Sequence, residues 1–275
     1  MNWLQCLLFG FISGLSEFLP ISASAHEIIL GRIFGAIDVG YGIRLAVHIG
    51  ALLAVFFSCR PQISKISRER RISALPPRRR KRNPDLTCLK DWKILKTAAI
   101  LLFLGFLAYP WVGDQGLRLW ILGIGLIAGG ILLYIPMYLP AGNKDARSLS
   151  PLDGILVGLS AMLAVFPGIS RIAATTSVAA ARGAEPQHGY RWGMLLAIPA
   201  LAVLIIFDII SMITTGLEGA TFVVFLQSVI SGIAAFAGAY LGITLARNIL
   251  QKSGIFVFSY YCWGAAIFTF ILYLI

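Results

Sequence analysis

Two short stretches carry side chains that could do chemistry. In "GLSEFLPISASAHE", residues 14–27, the carboxylates Glu17 and Glu27 and the imidazole of His26 accompany the hydroxyls of Ser22 and Ser24. In "FPGISRIAATT", residues 166–176, Arg171 lies between Ser170 and Thr175. A guanidinium that stays protonated offers a planar fork of donors matched to phosphate oxygens, and hydroxyls add further donors. A carboxylate can hold a divalent cation or position water, and an imidazole can move a proton. Gathered in one pocket, these groups form an inventory for phosphoryl chemistry, with Arg171, Ser170 and Thr175 on the phosphate, Glu17 on a cation or water, and His26 on the proton. The residues alone leave open a second reading, a transporter or flippase of a phosphorylated lipid, and a weaker third, a cation- or proton-coupled transporter.

The elements that position these groups lie in a membrane. Of 275 residues, 58% are hydrophobic and 13% charged, with a mean hydropathy of +0.84, far from the roughly 25% charged residues of soluble domains. Six apolar stretches approach the roughly 20 residues of a spanning helix: 43–58, 97–112, 117–139, 190–213, 220–245 and 255–275. Two more, 3–30 and 151–182, are broken by Pro, Gly, Ser and charges, and they carry the candidate residues. Irregular backbone at membrane depth is tolerated only around protein or a water-filled cavity, so both breaks predict a polar internal pocket. Pro20 fits a helix ending near Leu19 and another starting among the serines, and Pro167-Gly168 fits a turn ahead of a helix capped by Ser170. No cleavable signal peptide is evident, since the N-terminus lacks a positive region.

Charge supplies sidedness. The net charge is +11, and thirteen of the twenty-three Lys and Arg residues fall in 59–96, which is expected to be a cytoplasmic loop. Its basic run "RRRKR" (78–82) suits anionic headgroups, and nucleic acid is not an expected partner. If both broken segments re-enter, Lys144, Arg147, Arg182, Arg191, Arg247 and Lys252 join the cytoplasmic side, while Arg32, Arg44 and Arg118 lie opposite and Arg171 stays at depth. This distribution predicts an all-α polytopic membrane protein of two inverted repeats. Each is a broken re-entrant hairpin followed by three spans, over about 1–139 and 150–275, with hairpin tips meeting near the midplane.

The remaining polar residues have plainer readings. His48, in the smooth span "RLAVHIGALLAVFF", is expected to be a helix-packing hydrogen bonder, and Asp208 in "LIIFDIISM" a polar interhelical contact. Asp153 suits a helix N-terminus, and His188 a solvated loop. Cys6, Cys59, Cys88 and Cys262 have no disulfide or zinc spacing.

"SGLSEFLPISASAH" and "PGISRIAAT" resemble the two motifs of the undecaprenyl-diphosphate phosphatases, the bacitracin-resistance family, roughly "E/QGxTEFLPVSSSGH" and "PGxSRSGAT". "VHIGALLAVFF" (47–57) and "RWGMLLAIP" (191–199) resemble two further segments, so the likeness runs along the whole chain in order. It implies a multi-pass cell-membrane enzyme that removes the terminal phosphate of a polyprenyl diphosphate at the extracytoplasmic face, yielding the monophosphate carrier for envelope polysaccharides. It also implies interlocked re-entrant hairpins and a divalent cation, magnesium or calcium, on Glu17 with Glu27 as a second candidate. A homodimer stays open. Glu17 matches the second glutamate of the first motif; His26, Ser22 and Ser24 match its histidine and two of its three serines. Ser170, Arg171 and Thr175 match the phosphate-binding set. Ser13 stands in place of the first Glu or Gln, Ala23 of the middle serine, Ala25 of glycine, Ala161 of a glutamine, and Ile172-Ala173 of Ser-Gly. Ala23 removes any mechanism that needs that hydroxyl, leaving Ser22, Ser24 or a water as attacking group.

Overall fold

A computed structural model describes residues 1–36, 39–79, 86–108, 118–140, 142, 148, 150–215 and 221–275. Lys144, Arg147, residues 80–82 of the basic run and the outer ends of the stretches 97–112, 117–139 and 220–245 lie outside the described residues. Within them the fold is helical: α1 Trp3–Phe18, α2 Ala23–Ile33, α3 Tyr41–Ala74, α4 Thr87–Phe106, α5 Leu119–Tyr134, α6 Pro151–Leu163, α7 Arg171–Ala181, α8 Pro186–Thr215, α9 Phe222–Lys252 and α10 Val257–Leu274.

The two broken stretches form two pairs of short helices. At 1.5 Å per residue α1 is about 24 Å long, α6 about 20 Å, and α2 and α7 about 17 Å, all short of the roughly 30 Å hydrocarbon core. Their ends are set locally. Asn2 and Gln5 form a reciprocal capping box at the start of α1, and Leu19 leaves the helix in extended conformation just before Pro20. Ser150 and Asp153 form the matching box on α6, behind Pro151. Asp153 therefore caps, as its position suggests, and it also accepts from Arg182 Nε at 2.7 Å.

Among the described residues five helices are long and apolar enough to cross a membrane: Tyr41–Ala74, Leu119–Tyr138 (α5 with its 3₁₀ extension), Pro186–Thr215, Phe222–Lys252 and Val257–Leu274. Of the expected sixth span, 97–112, residues 97–106 form the second half of α4, which begins ten residues earlier and carries Lys90, Asp91, Lys93 and Lys96, while 109–112 lie outside the described residues. The basic loop expected over 59–96 is also largely helical, since α3 runs on to Ala74 and α4 begins at Thr87. Packing explains the difference: the buried Glu69 carboxylate accepts from the Leu89 amide at 3.0 Å, and the Arg70 guanidinium lies 4.3 Å over the Trp92 ring. His188 is not a solvated loop residue either. It sits in the first turn of α8, 2.8 Å from Asp91 and edge-on to Trp192.

Several packing pairs interchange when the first five helices are exchanged for the last five. The helix α1 lies on α9 as α6 lies on α4, α3 lies on α9 as α8 lies on α4, and the pairs α3–α8 and α5–α10 map onto themselves. The closest contact uses small residues. A Cβ on Gly10 or Gly14 of α1 would run into the backbone of Ser231 or Ala235, and one on Gly238 or Gly242 of α9 into Phe11 or Leu15. Both hairpin tips enter one core, in which Phe18, Leu19 and Ile21 pack with Ile172, Ala173 and Tyr190.

Candidate active site where the two hairpin tips meet

At the first tip the chain turns through Ser22, whose φ of 72° is the one positive value outside glycine among the described residues. A left-handed serine costs about 1–2 kcal/mol, so its surroundings must hold it. His26 Nδ1 donates to the Ser22 carbonyl at 2.7 Å, and Ser22 Oγ caps α2 by accepting from the Ala25 amide at 3.4 Å. Ser24 Oγ lies 3.2 Å from Ser22 Oγ. From behind, Tyr190 donates its hydroxyl to the Phe18 carbonyl at 3.1 Å, fixing the end of α1.

At the second tip Gly168 adopts φ 89°, a conformation that suits only glycine where a Cβ would also meet the α5 backbone. Ser170 caps α7 through the Ala173 amide at 3.3 Å, and Arg171 begins the helix. The Arg171 guanidinium forms an ion pair with the Glu17 carboxylate, joining the two tips across 154 residues of chain. Arg171 Nε is buried and has no hydrogen-bond partner among the described residues.

The pair lies on the wall of a cavity of about 250 Å³. Glu17, Ser22, Ala23, Ser24, Glu27 and Arg32 line it from the first hairpin, Pro167, Ser170 and Arg171 from the second, and Arg44 and His48 from α3, with Leu102, Phe106 and Leu204 as apolar wall. The structure thus brings together Glu17, Ser22, Ser24, Glu27, Ser170 and Arg171.

Two expected residues stand elsewhere. His26 turns away toward α10: its Nε2 lies 2.7 Å from the Tyr261 hydroxyl and the two rings stack, so both ring nitrogens are engaged outside the cavity lining. Thr175 is fully buried and donates into its own helix at the Arg171 carbonyl, 2.9 Å away. Its side chain packs where α7 crosses Gly193 of α8, so its hydroxyl serves the helix contact. Ser13 is buried, and its hydroxyl has no hydrogen-bond partner among the described residues.

Sequence reading missed Arg44 and His48 as site residues. They are four apart on one face of α3, opposite the single carboxylate of α8, and that spacing was the available signal. His48 Nδ1 lies 2.6 Å from Asp208 Oδ2, and Arg44 lies 3.5 Å from Asp208 Oδ1. The interhelical contact expected of Asp208 is therefore present, with the imidazole as its partner.

Among the described residues, no three His, Cys, Asp or Glu side chains stand close enough to hold a metal ion between them. Glu17 and Glu27 place two carboxylates on one cavity, a donor type that magnesium commonly takes together with waters and substrate phosphates.

Short broken hairpins, long apolar helices and a cavity wall that carries Arg32, Arg44 and Arg171 define a polytopic membrane protein with an internal polar site. The chain belongs to the bacitracin resistance protein BacA family, whose sequence model matches residues 6–268. It is 29% identical over 278 residues to undecaprenyl-diphosphatase 1 of Shouchella clausii, covering 98% of this chain and 96% of that one. It is 30% identical to undecaprenyl-diphosphatase 2 of Halalkalibacterium halodurans, with coverage of 98% and 96%. Undecaprenyl-diphosphatase of Nocardioides sp. is 34% identical over 201 residues, 73% of this chain and 72% of that one.

Proposed function

We propose that the chain hydrolyses a polyprenyl diphosphate of the undecaprenyl type to its monophosphate, releasing inorganic phosphate. The observation that carries this reading is the Glu17–Arg171 pair on the wall of a cavity that also presents Ser22, Ser24 and Ser170. An arriving terminal phosphate would take Glu17's place on Arg171, gaining the guanidinium fork and the unpartnered Nε, with serine hydroxyls for its remaining oxygens. Glu17, released, would then be free to position water or a cation. A divalent cation would be held by Glu17 with Glu27 and would supply neutralisation of the phosphate charge. His26 would act as a positioning residue, holding the left-handed turn at Ser22.

The site's orientation follows from charge. Arg32 and Arg44, two of the three cations that the sequence assigns to the extracytoplasmic side, line the cavity, which supports an opening toward that face. The interchange of packing partners between the two halves supports inverted repeats.

The test is phosphate release from C55 or C15 prenyl diphosphate by detergent-purified protein, with and without divalent cation. Cation-dependent release that Arg171→Ala and Glu17→Ala both abolish is expected. Release that survives Arg171→Ala would remove the pair from the chemistry. Ser22→Ala and Ser24→Ala then separate serine attack from water attack.

A further inference from the structure

With His26 directed at Tyr261, the first hairpin lends the cavity no imidazole, yet an imidazole lines it. It comes from α3. His48 is 8% exposed in the middle of an apolar span, and its carboxylate partner Asp208, 2% exposed, sits in the equally apolar α8. An ionised carboxylate only accepts, so the 2.6 Å contact calls for a proton on His48 Nδ1, and in the neutral ring Nε2 is then the acceptor. No second hydrogen bond engages the ring among the described residues. Arg44, one turn earlier on α3, lies 3.5 Å from the other Asp208 oxygen and holds that carboxylate from the α3 side.

Helix packing alone does not call for this arrangement. A buried imidazole held at one nitrogen by a buried carboxylate, with its other nitrogen uncommitted and its side chain on the cavity wall, has the geometry of an oriented proton acceptor. The charged groups that act on it are Asp208 from α8, Glu27 from α2 and Glu17 from α1, with Arg44 on its own helix. No hydrogen bond or ion pair joins the ring to either glutamate among the described residues.

We propose that His48, oriented by Asp208, is the general base that takes a proton from the attacking water. The inference rests on the hydrolysis proposed above. The water oxygen bonds to the terminal phosphorus, and the bond from that phosphorus to the bridging oxygen breaks, its electron pair leaving with the prenyl monophosphate. One water proton passes to His48 Nε2, and the ring later returns it to solvent. Asp208 is a positioning residue: it holds the tautomer and stabilises the imidazolium.

The experiment compares wild type, His48→Asn, His48→Gly and Asp208→Asn in prenyl diphosphate hydrolysis, after checking that each melts and elutes as wild type does. His48→Asn is expected to lower kcat by about 10²–10⁴-fold with KM little changed, and to flatten the acidic limb of the rate–pH profile. Added imidazole should restore part of the His48→Gly rate, which a merely structural histidine would not show. Asp208→Asn should lower kcat, with the double variant no worse than His48→Asn alone. If His48→Asn does not assemble, Asp208→Asn carries the test through its pH profile. No hydrolysis by wild type would overturn the reaction itself. Wild-type hydrolysis with full kcat in His48→Asn, or an unaltered pH profile in Asp208→Asn, would overturn the role of His48 alone.

Discussion

At the scale of residues, the Glu17–Arg171 pair joins a carboxylate and a guanidinium that are each largely buried, at 14% and 10% exposure. Removing one partner of such a pair leaves a charge uncompensated and costs about 3–5 kcal/mol. Glu17→Gln should therefore lower the melting temperature, and added inorganic phosphate should recover more of the loss than it adds to wild type, because Arg171 is then free to bind it. Differential scanning fluorimetry in detergent reads both. Arg171→Lys keeps the charge but loses the fork and Nε, and kcat/KM should fall by about 10²-fold. Glu17, Glu27 and Arg171 were legible in the sequence because an ionisable group in a lipid-grade stretch must have a partner. His48 was less so: neighbours such as Gly50 and Ala51 suit helix packing equally well, and only the fold shows that its face turns toward the cavity. His26 was placed by its closeness in sequence to Ser22 and Ser24, which does not say which way a ring points from a helix.

At the scale of elements, hairpin two is held from behind by α5. A Cβ on Gly125 would collide with the Pro167 carbonyl and the Gly168 backbone, and neither can swing aside as a side-chain end could. Gly125→Ala is therefore expected to push the second tip away from the first and cut kcat/KM by about tenfold or more, since misplacement by about 1 Å can cost 10²-fold. Gly264→Ala, which meets nothing within 4 Å, should leave the rate unchanged and serves as the control. The breaks of both hairpins were readable from Pro20 and Pro167-Gly168, since a missing amide hydrogen and a positive φ are local facts. The helical course of the basic region was not. Its apolar side is sparse, and it is held by Glu69 and Trp92 between α3 and α4 and by Asp91 against Trp192 of the distant α8.

At the scale of the whole molecule, exposed arginines such as Arg70, Arg71, Arg78 and Arg79 gather at one end, while Arg32 and Arg44 line the cavity. If that end is cytoplasmic, trypsin should cut near Arg78 and Arg79 in inverted vesicles and spare them in intact spheroplasts. Mass spectrometry of the fragments decides between the two orientations. The packing pairs that interchange between the halves were foreshadowed only by the order of broken and unbroken stretches, because helix partners depend on packing between segments far apart in sequence.

The ion pair between the hairpin tips also makes the ligand compete with the protein. Arg171 already holds an anion, so an incoming molecule binds only by outbidding Glu17. In the proposed reaction the prenyl diphosphate brings more negative charge than the prenyl monophosphate left when its terminal phosphate departs, and so would displace Glu17 more readily than the spent lipid could keep it away. On that reaction the carboxylate would act as a tethered inhibitor that screens out neutral and weakly charged lipids and returns to Arg171 once the terminal phosphate has gone.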